Sequence, residues 1–268
     1  MYESFWGFKE KPFENTPNPR FFFASRQHQE AFARMLYCIR ERKGAGLLTG
    51  AFGCGKTVVG YTLFQELNRE RYRVAFITNP RLSAVDLLRM IVYRWGRIDP
   101  PSSKADVLIA LEHQIQDNAK EGRDTVIVVD EAHALEDPGL FEELRLLLNF
   151  QTSDGFLVTL LLFGQPELAI RVEENKPLEQ RIGIKSMLGP LDFREAEDYI
   201  RHRLRVAGHP NPETVFTVEA VRLIHESTGG IPRRINRLCD ICLLAGTEKQ
   251  LLAVDGSIVM EEVKGLTV

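Results

Sequence analysis

The eight residues GAFGCGKT, from Gly50 to Thr57, follow the apolar run Ala45 to Leu48 and precede the amphipathic stretch VVGYTLFQEL. A strand, a glycine-rich loop and a helix in that order leave the chain few paths. Gly50, Gly53 and Gly55 let the backbone turn tightly and present several N–H groups to one anion, where Cβ atoms would intrude. The helix that follows begins with unpaired N–H groups facing the same anion. Lys56 supplies a mobile positive charge over β and γ phosphates, and Thr57 a hydroxyl ligand for magnesium. The pattern G-x-x-x-x-G-K-T in this setting predicts a nucleotide phosphate site built from Gly50, Ala51, Phe52, Gly53, Cys54, Gly55, Lys56, Thr57 and Val58. Cys54 has no catalytic part here, but its alkylation is expected to block nucleotide entry.

Around this segment the pattern alternates. GLLTG, YRVAFITN (72–79), DTVIVVDEAH (124–133), GFLVTLLLFG (155–164) and IKSMLGPL (184–191) read as strands. Helical periodicity marks the stretch from Ser25 to about Arg42, and the stretches Val58 to Leu67, Ala84 to Trp95, 107–115 and 140–148. After Pro190 only helical patterns remain: FREAEDYIRHRLRVAG, FTVEAVRLIHESTGG, IPRRINRLCDICLLAG and a short segment after Asp255. The expected fold is α/β with a central parallel five-stranded sheet and a small C-terminal helical domain. The expected division is an aromatic and proline-rich arm over 1–24, a nucleotide-binding domain over 25–190 and a helical lid over 191–268. In the arm, Phe5, Trp6, Phe8 and Phe13 are too bulky to stand exposed together, and Pro12, Pro17 and Pro19 prevent a long helix.

The net charge of −3 is not polarised: from Leu191 onward there are 10 Lys/Arg against 12 Asp/Glu. Composition thus gives no sign of a surface that coats nucleic acid, although a local basic patch stays open. The longest apolar run, FLVTLLLF at 156–163, is far short of the ~20 residues needed to cross a bilayer. Glu3 stands where a signal peptide would carry positive charge, so a soluble cytoplasmic protein without a transmembrane segment is expected. Cys239 and Cys242 share one helical face with Ile235, Leu238 and Ala245, which reads as core filling rather than half a zinc site. His28, His113, His202, His209 and His225 are scattered and form no motif for a second chemical substrate.

VIVVDEAH carries the second constellation. Asp130 sits where a buried strand gives way to a loop and is placed to hold magnesium. Glu131 projects differently and is the candidate to orient and polarise the attacking water. His133 completes the spelling D-E-A-H, which has little weight without the other helicase blocks. Gln165, after the fourth strand, either hydrogen-bonds the γ-phosphate or lytic water or simply opens the turn before Pro166. Arg181 in LEQRI and Arg233 in GGIPRRIN are either surface arginines or phosphate ligands. In the second case Arg181 reaches into a neighbouring subunit's nucleotide and Arg233 reaches over the nucleotide of its own subunit.

With these segments in hand, the chain resembles the AAA+ ATPases of the general-secretion ExeA/GspA type, which are grouped with transposon ATPases of the TniB and TnsC kind and, more distantly, origin-recognition ATPases. The resemblance runs over nearly the whole sequence, through FWGFKEKPFENTPNPRFFF, LLTGAFGCGKT, VIVVDEAHAL, FGQPEL, LEQRI, YIRHRLRVAG and GGIPRRINRLCDICLLA. It implies a P-loop NTPase of AAA+ type using ATP and Mg2+, with Gln165 as first sensor, Arg181 as arginine finger and Arg233 as second sensor. It further implies a nucleotide-dependent homo-oligomer, a hexameric ring being one form, that drives assembly or remodelling of a partner complex. The alternative expectation is an ATP-dependent DNA-binding or transposition regulator using ATP as an assembly switch. Longer secretion-type relatives continue into a membrane segment and a peptidoglycan-binding part; the resemblance here covers the motor module.

Overall fold

The structure is a computed structural model that describes residues 2–96, 99–153 and 155–266. Seven strands form. They are β1 (Ala45–Gly50), β2 (Tyr72–Ile77), β3 (Asp124–Val129), the two-residue strands β4 (Gln151–Thr152) and β5 (Gly155–Phe156), β6 (Val158–Gly164) and β7 (Ile182–Leu188). Five make one parallel sheet in the order β2-β3-β6-β1-β7, as the alternating pattern predicts. The inner strands β1, β3 and β6 are buried at every position, while the edge strands β2 and β7 are only partly buried. This explains why the inner three read as near-continuous apolar runs: a parallel strand covered on both faces has no polar side.

The apolar segment 155–164 does not form one strand. Gly155 and Phe156 pair antiparallel with Gln151 and Thr152, and the sheet strand starts at Val158. Gly155, the first residue of β5, has φ +139°. Two short helices that the periodicity did not mark, Glu167–Glu174 and Lys176–Glu179, join β6 to β7, and the Asn175 side chain caps the second by accepting from the Leu178 N–H.

The chain divides into two compact units. One holds the sheet and comprises Gln29–Phe52 and Val59–Leu188. Its core joins Leu47, Ile127, Val129, Leu160 and Leu162 to Leu87, Leu111, Leu144 and Leu168 from the helices. The other comprises the residues up to His28, Gly53–Val58 and those from Gly189 onward. The long helices here are Phe193–Val206, Val218–Thr228, Pro232–Glu248 and Gly256–Leu266. Trp6, Phe8, Phe13 and Phe21 from the N-terminal segment lie in the same core as Leu204, Ile224, Leu238, Cys239 and Cys242.

A buried cation ties that segment down. Arg203 donates from Nε to the Pro12 carbonyl at 2.6 Å, from Nη2 to the Glu14 carbonyl at 2.8 Å and from Nη1 to the Tyr199 hydroxyl at 3.1 Å. Its guanidinium also lies over the Phe21 ring at 4.6 Å. Irregular backbone has no ladder to satisfy its carbonyls, and the planar fork of arginine serves two of them at once. Arg203→Ala would leave both without their charged donor. It is expected to lower stability by about 2–4 kcal/mol, read as the urea midpoint at constant m-value.

Candidate functional site

Parallel pairing brings three strand ends to one edge of the sheet. β6 lies between β1 and β3, with Thr49 opposite Gly164 and Val129 opposite Leu162. The loop after β1 begins the glycine-rich segment, Asp130 and Glu131 follow β3, and Gln165 follows β6. Carboxyl ends of adjacent parallel strands are where α/β sheets collect ligands.

At the end of β3, Asp130 is 2% exposed and its N–H extends the ladder by donating to the Ile77 carbonyl at 2.8 Å. Its Oδ1 accepts from the Glu131 N–H at 3.0 Å. Glu131 itself stands at φ 54°, a left-handed conformation that costs a non-glycine residue roughly 1–2 kcal/mol. The Ala134 N–H holds the bend by donating to the Glu131 carbonyl at 2.8 Å. Strain of this kind, at a carboxylate on a sheet edge, re-aims the side chain away from the path of Asp130.

His133 was missed as a site residue because its importance is not local. The Gln165 N–H donates to His133 Nδ1 at 3.4 Å, the Gln165 amide lies 2.8 Å from Nε2, and a Glu131 carboxylate oxygen is 3.5 Å from the same nitrogen. A neutral ring that accepts at Nδ1 carries its proton on Nε2, so the amide oxygen is the partner this arrangement requires. Arg171 fixes the loop by donating to the His133 and Glu136 carbonyls at 2.8 and 3.3 Å. One imidazole therefore joins the two polar residues expected at the γ-phosphate end. The adjacency of histidine and glutamate in sequence was visible; the pairing of β3 with β6 that brings Gln165 to them was not.

In the other unit, Gly53 and Gly55 adopt φ +86° and +96°, and the helix Lys56–Glu66 starts directly after them. Lys56 is 4% exposed. Left-handed glycines followed by a helix N-terminus leave backbone N–H groups as the donor set, the chemistry a polyphosphate needs. The Arg233 N–H donates to the Gly53 carbonyl at 3.2 Å, and a Cβ on Gly53 would lie 2.8 Å from the Arg233 Cβ. Arg233 thus begins its helix against the glycine-rich loop, with Pro232 in the first turn. The left-handed glycines, Lys56 and the helix start have the chemistry that the phosphates of a nucleotide need. Thr57 in this unit carries a hydroxyl and Asp130 in the sheet unit a carboxylate, each a hard oxygen donor of the kind magnesium takes.

Other expected residues lie as follows. The Arg181 guanidinium donates to the Leu148 carbonyl at 2.9 Å and to Asn149 Oδ1 at 3.0 Å, within its own chain. Phe52 projects into solvent, 57% exposed. Cys54 is fully buried and burial pushes its thiol up, which disfavours the thiolate that alkylation requires. Cys239 and Cys242 are buried free thiols, with burial holding Cys239 well above the usual range and pushing Cys242 up to about 12. Among the described residues no cluster of three or more His, Cys, Asp or Glu is arranged to hold a metal, and no helix is long and apolar enough to cross a membrane.

Comparison with known proteins agrees with this geometry. Residues 39–172 match the family described as an AAA domain. The chain is 38% identical over 275 residues to the general secretion pathway protein A of Aeromonas hydrophila, covering 99% of this chain and 49% of that protein. It therefore spans about half the length of that curated relative. Among solved structures, the Aeropyrum pernix ORC2 protein in its ADPNP-ADP complexes matches with a TM-score of 0.73 at 18% identity, covering 96% of this chain and 72% of that one. Thermotoga maritima RuvB, a Holliday junction branch migration motor, matches at 0.61 and 20%, covering 89% and 69%. At such identities these structures show a shared fold.

Lys56→Ala removes the charge expected over the β and γ phosphates. ATP affinity is expected to fall at least about tenfold, or ~1.4 kcal/mol, in a direct titration. Unchanged affinity would overturn the phosphate-site assignment.

Proposed function

The chain belongs to the AAA domain family, and from that premise we propose that it binds ATP with magnesium, hydrolyses it and uses the cycle to assemble or remodel a partner complex. The observation that carries this reading is the sheet edge at which the ends of β1, β6 and β3 bring Gly50, where the glycine-rich segment begins, Gln165 and Asp130–Glu131 to adjacent strands. The likeness to general secretion pathway protein A supports a secretion-related partner. Use of ATP in this reading supports a cytoplasmic place of action.

In this reading Lys56, the loop amides and Arg233 neutralise phosphate charge, and Thr57 and Asp130 hold magnesium. The ion, when bound, shields the phosphates and draws charge from the leaving group. Glu131 orients the attacking water, and Gln165 senses the γ-phosphate through the position that His133 imposes on both. Arg181 acts in trans as a finger, giving up its hydrogen bonds to Leu148 and Asn149 when a neighbour docks. A monomer then lacks a complete site, and a homo-oligomer, for which a hexameric ring is our proposal, becomes part of catalysis. The helical segment 191–268 transmits loss of the phosphate contact at Arg233 to the partner.

Glu131→Gln keeps the side chain's shape and spares Asp130. ATP binding is expected to stay near normal while phosphate release slows at least roughly tenfold. Near-normal hydrolysis would assign the water-orienting role elsewhere.

Arg181→Ala is expected to retain ATP binding and lose most turnover, because charge developing on the transferred phosphoryl loses its external partner. Mixing it with Lys56→Ala tests the trans role. An Arg181→Ala subunit keeps its phosphate loop, and the Lys56→Ala subunit can donate a finger. Activity should reappear in the mixture, rise with total protein concentration and peak at an intermediate ratio. Full activity of Arg181→Ala alone would make this arginine a structural residue.

A further inference from the structure

His28 lies 26 positions before Cys54 in sequence, yet its Nε2 is 2.9 Å from the Cys54 carbonyl oxygen. On the other side of the ring, Nδ1 is 2.8 Å from Ser25 Oγ. Both residues are buried, at 6% and 4% exposure, and the Phe22 ring packs edge-on against the imidazole with centroids 6.1 Å apart. A Cβ on Gly55 would lie only 2.8 Å from His28 Nε2, so the loop is drawn in closely against the ring.

The tautomer follows from the partners. A carbonyl can only accept, so Nε2 carries a proton and donates to Cys54. With the ring neutral, Nδ1 accepts from the Ser25 hydroxyl. Burial favours that neutral form, pulling His28 below the usual histidine range against the opposing pull of the Cys54 carbonyl and of Glu195.

What the contact does follows from peptide geometry. The Cys54 carbonyl and the Gly55 N–H belong to one planar trans peptide, and no cis bond occurs among the described residues. The two groups point in opposite directions across that plane. Gly55, at φ +96°, has little steric restraint of its own, so the plane could otherwise rotate. Fixing the oxygen toward His28 fixes the N–H away from it. We propose that His28, oriented by Ser25, is a positioning residue for nucleotide binding, which clamps the Cys54–Gly55 peptide so that the Gly55 N–H faces the phosphates. The proposal rests on the phosphate-binding reading of residues 50–57 and adds to it a residue outside the loop.

The test exploits the geometry of the two side-chain amides. Glutamine offers an N–H near the position of imidazole Nε2, and asparagine near that of Nδ1. Affinities for ATP and ADP are measured by calorimetric titration beside the thermal midpoint of each variant. His28→Asn is expected to weaken both nucleotides about tenfold, and His28→Gln to stay within about threefold of the parent, with similar thermal midpoints. A purely packing role predicts no such split. Parent-like affinity in a folded His28→Asn, or equal losses in both variants, would overturn the proposal. If His28→Asn does not fold, Ser25→Ala keeps the ring but frees its Nδ1. A loss of about threefold is then expected, and an unchanged affinity would overturn the clamp. Lys56→Ala run alongside separates the two readings: if it binds ATP normally, the phosphate site itself is wrong, whereas its failure with an intact His28→Asn faults only the clamp.

Discussion

Insertion of β6 between β1 and β3 is the constraint on which the candidate chemistry depends. Buried strands must pair every backbone donor and acceptor, and these three, covered throughout, can do so only with one another and with the edge strands. Parallel pairing then brings all three chain exits to one edge. Polar residues appear where the apolar runs stop because that is the first place where water or a ligand can solvate them. The start of the glycine-rich segment at Gly50, the acidic pair and the glutamine thus follow from one sheet arrangement.

The acidic pair shows how local strain and long-range pairing combine. Asp130 continues the ladder through its N–H, while Glu131 leaves it in a left-handed bend braced by Asp130 Oδ1 and by the Ala134 N–H. Two neighbouring acidic residues therefore leave the strand with different backbone conformations. His133 then ties the second carboxylate to Gln165 across the strand pair.

In the helical unit the organising interactions are buried polar ones. Arg203 serves two carbonyls of the N-terminal segment, while Tyr199 donates to Asn236 at 2.8 Å and Asn236 to Asn15 at 3.0 Å. Each group would be costly alone in an apolar core and is inexpensive when fully partnered. The same segment leads directly into Ser25 and His28, so holding the aromatic arm also holds the ring against the Cys54 carbonyl.

Much of this was legible in the residues themselves. The runs GLLTG, 124–133 and 155–164 announced strands, although the last divides at Leu157, and GAFGCGKT announced its own strand, loop and helix, because periodicity and turn chemistry act between near neighbours. The bulk of Trp6, Phe8 and Phe13 required burial, but nothing local said that their partners would be Leu204, Leu238 and Cys239. Nothing local showed that Cys54 would be fully buried; that emerged only with the packing around it. His28 and His133 looked scattered or incidental, since their roles rest on contacts to Cys54 and Gln165 far along the chain. Sequence alone determined which elements form and which residue types could meet a phosphate, through local backbone sterics and the spacing of apolar side chains. The tertiary structure decided strand order and the partner of each buried polar atom, because those are set by backbone pairing and core packing between segments that no local pattern connects.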